Sequence, residues 1–375
     1  MEQAVPVPRK RRSAVKAVAV VAVVIVVALL LLTPAVQNFI GDLVSSPFQA
    51  RYPESVTYSL ERTLTVDANG GSIYNYTLDI CEPMSIAQSG YVLQTVSAAT
   101  YSPAATTEEQ RYGTQTWVVW DGGTLNGHRS REYTATYTVT TYAHIWNIDE
   151  ASSLTTADVP ESYKTQYLHD EWLMDMTSSS IVATSESIVG DETNVYLILK
   201  GIYDWMLDNI EYETDATGGD PKSALQTLSS TKGDCDDQSI LFCSLARAAG
   251  VPAWLQLGAL YVNGEDSWGG HAWLQAYVPL ASGGGENVVI DVVNQDFLVF
   301  RPNRFVDFTD DGVGSHLLDY YFTSYISSSS MSDPIASEQY VSLSYEESDR
   351  TISRGSVYDL GEVRLACTVP APTRR

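Results

Sequence analysis

Basic side chains are scarce in this chain: 22 lysines and arginines stand against 46 aspartates and glutamates over 375 residues, a formal net charge of −24. The organised basic residues are confined to Arg9-Lys10-Arg11-Arg12, so no cationic surface remains for nucleic acid. The acidic remainder is read as a solubilising surface. Cysteine is equally sparse. Four cysteines do not make a disulfide framework in a chain this long. Cys81 and Cys367 are a pair that an oxidising exterior could join, and Cys243 reads as a small core residue within a helix. Among the histidines, His128, His144, His169 and His316 lack neighbouring ligands at metal-binding spacing, which argues against zinc. Asp307, Asp310 and Asp311 do not match an EF-hand loop. No cofactor and no metal are expected.

Long apolar runs are also rare, and the one from Ala17 to Leu32 contains only Ala, Val, Ile and Leu. Preceded by the basic cluster, it predicts a transmembrane helix over 14–36 with residues 1–13 in the cytoplasm and the rest outside. A cleaved signal peptide is the competing reading, since Thr33-Pro34-Ala35 offers small residues for cleavage. Both readings export the protein, and the first makes it a single-pass cell-membrane protein.

What is present in quantity is β-forming sequence. With 44% hydrophobic residues the chain can bury sizeable cores. Over 50–150, runs rich in Tyr, Thr, Val and Trp alternate with turn signals, which predicts an all-β sandwich. Residues 55–66 and 72–80 read as a hairpin about Asn69-Gly70-Gly71, and 116–120 with 133–139 repeat the pattern. Asn75-Tyr76-Thr77 is a glycosylation sequon. Over 151–325 the pattern turns helical: Val195, Ile198, Leu199, Ile202, Trp205 and Met206 share one face, expected to pack on a later helix. Residues 301–304 and 307–312 read as surface loops before a short aromatic helix at 317–322. The segment 326–375 reads as a Ser-rich linker and two strands, 340–345 and 362–367.

The chemistry concentrates at Gly233-Asp234-Cys235-Asp236-Asp237. Apolar Ile240, Leu241, Leu245 and Ala248 follow at helical spacing, and Gly250 with Pro252 closes the segment. Cys235 therefore opens a helix, where unpaired backbone N–H groups favour a thiolate. The three adjoining acids oppose it, so the thiolate would depend on an ion pair. His271 stands at the start of a strand alternating through Val278. After the turn Ser282-Gly283-Gly284-Gly285, the strand Val288-Val289-Ile290 delivers Asp291. Such a hairpin brings His271 and Asp291 together, with Asp296 as the fallback carboxylate. The backbone N–H of Cys235 is the first oxyanion donor, and Trp268 and Trp273 are candidates to wall the acyl groove.

Cys235, His271 and Asp291 in that order, together with Gly250-Val251-Pro252-Ala253, His271-Ala272-Trp273 and the Tyr-bearing turn through Tyr212, resemble the transglutaminase-like superfamily of papain-type cysteine enzymes. The resemblance spans roughly 167–300 and suggests a membrane-anchored prokaryotic-type member. It implies an α+β fold, a transglutaminase-like (papain-like) core beside the β-sandwich, and a Cys235-His271-Asp291 triad acting on a protein or peptide substrate. Hydrolysis and amine transfer use the same triad and stay open. So does a non-catalytic surface protein working through the β-sandwich, which an active-site thiol probe would separate from an enzyme.

Overall fold

The computed structural model describes residues 51–353 except 89, 114, 215–219, 263–266 and 322–334. The basic N-terminus, the apolar run at 14–36, the Ser-rich linker, Cys367 and the strand read at 362–367 lie outside the described residues. Among the described residues no helix is long and apolar enough to cross a membrane.

In chain order the first strands are β1 (Ser55–Asp67), β2 (Ile73–Cys81), β3 (Ile86–Gln88), β4 (Tyr91–Ser102), β5 (Thr107–Arg111), β6 (Gln115–Leu125) and β7 (Ser130–Tyr142). Helices follow: α1 (Ser179–Val189), α2 (Val195–Asn209), α3 (Ala224–Ser230) and α4 (Cys235–Ala248). Then come β8 (Ala253–Val262), β9 (Ser267–Pro279), β10 (Gly285–Asp291), β11 (Asp296–Phe297), β12 (Arg304–Thr309), α5 (Gly314–Tyr321) and β13 (Ile335–Glu347).

The first half folds by alternation. Every second residue of β1 is buried, including Val56, Tyr58, Leu60, Leu64 and Val66, and β7 does the same with Tyr133, Ala135, Tyr137 and Val139. A five-stranded antiparallel sheet runs β13-β1-β7-β4-β3, and a three-stranded one runs β2-β6-β5. The two sheets bury Leu60, Val66, Leu78, Ile80, Trp120 and Tyr137 in one cluster. The hairpins expected at 55–80 and 116–139 do not form, because β1 and β7 lie in one sheet while β2 and β6 lie in the other. Asn69 (φ 45°) and Gly70 (φ 91°) do turn the chain, but the turn carries it across to the facing sheet. A local turn signal is the same in both cases; only the partner of each buried face decides.

The second half is built around α4. Its expected one-sided burial is wrong: Cys235 through Arg247 are all buried, since strands β8 and β9 cover one side while α1, α2 and α3 cover others. The apolar face of α2 packs on α4 as its spacing predicts, with Tyr203 buried and Trp205 only partly so. Polar side chains on α4 turn to backbone: Ser239 donates to the Cys235 carbonyl at 2.7 Å and Ser244 to that of Ile240 at 2.9 Å. Arg247 Nε donates to the Ala253 carbonyl at 2.7 Å, and its guanidinium lies 3.3 Å from Glu171 and 3.6 Å from Asp310, all three buried. The sheet behind α4 is antiparallel, in the order β11-β10-β9-β8-β12.

Strand β12 joins the halves. One edge pairs with β8; on the other, the buried Gln94 amide accepts from the Val306 N–H at 2.8 Å and donates to the Val306 carbonyl at 2.7 Å, standing in for a missing strand. Cys81 Sγ donates to the Asp307 carbonyl at 2.9 Å, and Arg62 on β1 lies 3.4 Å from the Asp307 carboxylate. Arg301, Arg304, Asp307 and Asp310, in segments read as surface loops, are thus buried, because each charged side chain meets an opposite charge from elsewhere in the chain.

Candidate active site

Helix α4 begins at Cys235 because Asp234 caps it. The Asp234 and Asp237 side chains form a reciprocal capping box. Gly233 permits this, since a Cβ there would lie 2.5 Å from that of Asp237. The capped turn holds Cys235 against β9, where the Ala272 N–H donates to Cys235 Sγ at 3.3 Å. Gly258 on β8 lies opposite His271; a side chain there would strike the Phe305 carbonyl at 1.9 Å.

His271 precedes Ala272, and its Nε2 lies 2.7 Å from Asp291 Oδ2. The β9–β10 register, pairing Leu274 with Ile290, brings the two together across the hairpin. Asp291 also accepts from the Asn294 N–H at 3.0 Å, from Asn294 Nδ2 at 2.8 Å and from Arg304 Nη1 at 2.5 Å. Burial alone would raise its pKa, but the charges of His271 and Arg304 and these hydrogen bonds hold it well below the carboxylate range. An ionised Asp291 favours the tautomer with the proton on Nε2. The other ring nitrogen, Nδ1, is buried and makes no hydrogen bond, which leaves its lone pair to accept a proton.

The fallback Asp296 does not reach the histidine. It pairs with Asp291 in the sheet register and binds Arg301 at 2.7 Å and Arg304 at 3.1 Å. Arg304 therefore bridges both carboxylates, and its cation sits over the Trp273 ring. Sequence reasoning missed Arg304 and Asn294. Arg304 was read within a loop; the one local signal for Asn294 was its place three residues after Asp291. Of the two candidate wall residues, Trp273 lies beside His271, with ring centres 5.7 Å apart, and donates to Gln256 at 2.9 Å. Trp268 packs among Tyr58, Tyr261 and Phe305 in the β-rich core.

The acids about the helix start are not all negative. Burial, a hydrogen bond to Asp236 and the charge of Asp236 push Asp234 up to about 9, so it keeps its proton near neutrality. Asp236 and Asp237 are also raised, chiefly by burial, and Lys222 lies 2.6 Å from Asp237. Ligand oxygens of the three fall within 4.8 Å, but the Lys222 ammonium already supplies a cation there. Burial first, and then the charges of Asp234, Asp291 and Asp236, push the Tyr212 hydroxyl up.

Cys81 and Cys243 carry free, buried thiols that burial pushes up. The pairing considered for Cys81 is therefore not formed. Cys235 is disulfide-bonded, so a free thiol at this position requires reduction.

Residues 182–288 match the family described as the transglutaminase-like superfamily. An uncharacterized protein of Haemophilus influenzae is 36% identical over 91 residues, covering 22% of this chain; the chain spans about a quarter of that relative's length. A candidate cysteine protease from Cytophaga hutchinsonii shares the fold at a TM-score of 0.55 and 18% identity, over 79% of this chain and 93% of that one. The periplasmic domain of TgpA from Pseudomonas aeruginosa aligns at a TM-score of 0.33 and 9% identity, over 63% of this chain and 88% of that one. With Cys235 at a capped helix start and His271 on the adjoining strand, the segment 182–288 is a transglutaminase-like superfamily domain, carried on a mixed α/β fold.

Proposed function

We propose that the chain is an extracytoplasmic, membrane-anchored cysteine enzyme that transfers acyl groups from peptide or side-chain amides through Cys235, His271 and Asp291. The observation that carries this is the His271–Asp291 bond one residue from the Ala272 N–H that meets Cys235 Sγ. In the reduced enzyme His271 Nδ1 takes the thiol proton and the thiolate attacks the amide carbonyl. The backbone N–H of Cys235, at the helix start, stabilises the oxyanion. His271 then returns the proton to the leaving amine, and a thioester remains on Cys235. Water resolves it to an acid, or a second amine resolves it to a new amide.

Asp291 and Arg304 hold the imidazole in the tautomer this sequence of transfers needs. Export and anchoring rest on Arg9 to Arg12 ahead of the run Ala17 to Leu32, and protease shaving of intact cells should remove the domain. For the chemistry, mild reduction followed by iodoacetamide and mass mapping should label Cys235, whose thiolate the helix start favours, well ahead of Cys81 and Cys243, whose thiols burial pushes up. Equal labelling of all three in the folded protein would overturn the assignment.

A further inference from the structure

A cavity of about 390 Å³ opens in the seam between the β-rich half and the domain that carries Cys235. Five primary amides line it from five different strands: Gln88 on β3, Gln115 on β6, Gln256 on β8, Gln275 on β9 and Asn287 on β10. Each is anchored by the protein, Gln88 Oε1 by the Tyr91 hydroxyl at 2.7 Å, and Gln115 and Gln256 at both ends. Gln115 Nε2 donates to the Thr309 carbonyl at 2.7 Å, and Gln256 Oε1 accepts from Trp273 at 2.9 Å. Gln275 Oε1 accepts from Trp254 at 3.2 Å, and Asn287 Oδ1 from Tyr163 at 3.0 Å. A primary amide has two donor hydrogens and two acceptor lone pairs, so each keeps capacity to spare.

One polar atom at this cavity is buried without a hydrogen bond: Gln275 is 3% exposed and its Nε2 has no acceptor, whereas the Asp310 carboxylate is turned to Arg247. Leaving such a donor unmatched is costly, and a bound molecule offering an acceptor would relieve it. Among the described residues no lysine, arginine or histidine lines the cavity, while Asp310 and Asp311 do, which argues against an anionic ligand. The density of amides argues against a purely apolar one. Because the amides converge from five strands rather than along one edge, they suit a compact ring bearing groups in several directions better than an extended peptide.

We propose that this cavity binds a neutral N-acetylated saccharide, its acetamido carbonyl on Gln275 Nε2 and its hydroxyls shared among the remaining amides and Asp310. The site lies on the same face of β9 as His271, about 13 Å along the strand. Gln256 and Trp273 form the wall between them. Such a site would hold a glycan-bearing partner beside the acyl-transfer centre, and it stands whether or not that centre turns over.

Isothermal titration of the full chain with N,N′-diacetylchitobiose tests it. Saturable binding is expected, accompanied by a change in tryptophan fluorescence because Trp254 is bonded to Gln275. Gln275→Met should weaken binding at least tenfold with its melting temperature close to that of the parent, whereas Cys235→Ser should bind as the parent does. This separates the saccharide site from the cysteine chemistry. Cellobiose, lacking acetamido groups, should bind more weakly. No saturable binding of chitobiose, undiminished binding by Gln275→Met, equal binding of cellobiose, or preference for N-acetyl-alanyl-alanine amide would each overturn the proposal.

Discussion

Strands β1 and β8 differ in a way that separates the two halves of the molecule. Along β1 the burial alternates residue by residue; along β8 all ten residues are buried. The first strand has one face on a core and one toward solvent, so its buried charge is limited to Arg62. The second is enclosed on both faces, by α4 on one side and by β-rich packing about Ala259 and Tyr261 on the other. Enclosure forces every charged group nearby to find a partner, and the domain around Cys235 accordingly buries Asp236, Asp237, His271, Asp291, Asp296, Arg247 and Arg304. Half-open sheet is tolerant of sequence; the enclosed half is where single charges decide both stability and chemistry.

The largest test of this contrast is Asp291→Asn. Removing the charge that orients His271 should lower turnover about 10⁴-fold, measured as kcat on any amide substrate the enzyme accepts. Asp296→Asn, which leaves His271 bonded to Asp291, should retain far more activity. A collapse in Asp296→Asn with near-normal turnover in Asp291→Asn would reassign the orienting acid.

Arg247→Met should come next. It strands Glu171 and Asp310 in the interior, a loss of about 3–5 kcal/mol visible as a lower denaturant midpoint. Glu61→Gln on the open face of β1 should stay within about 0.5 kcal/mol. Similar costs for the two would dissolve the distinction between the halves.

A test read across pH rather than at one condition is Asp234→Asn. Asp234 titrates at about 9 when folded, against about 3.9 unfolded. The unfolded chain therefore loses this proton first, and stability should fall as pH rises from about 4 toward about 9. Asparagine keeps the helix cap and has no proton to lose, so its melting temperature should vary less over that window. An unchanged slope would place the proton elsewhere.

Much of the site was legible because its parts are local. A helix start at Cys235 follows from an acid ahead of an apolar stripe, and Asp291 follows from closing the β-branched run Val288-Val289-Ile290. Arg304 was not legible in that way. In Arg301-Pro302-Asn303-Arg304 nothing nearby says that both arginines are buried, because their partners Asp291 and Asp296 arrive through sheet register. The strands of the first half were readable for the same local reason, while the sheet to which each belongs was not. Asn69-Gly70-Gly71 reverses the chain without saying what the next strand will face.

The Gln94 amide, reaching from β4 to strand β12, bears on how this protein can be dissected or evolve. Because the β-rich half supplies the hydrogen bonds that close Val306, two from Gln94 and one from the Met84 N–H, a fragment beginning near residue 151 would start with a bare sheet edge. Bare edges recruit strands from neighbouring molecules. Trimming the protein to its superfamily domain would thus favour aggregates over a smaller enzyme, and any lineage that shed the β-rich half would first need another cover for that edge.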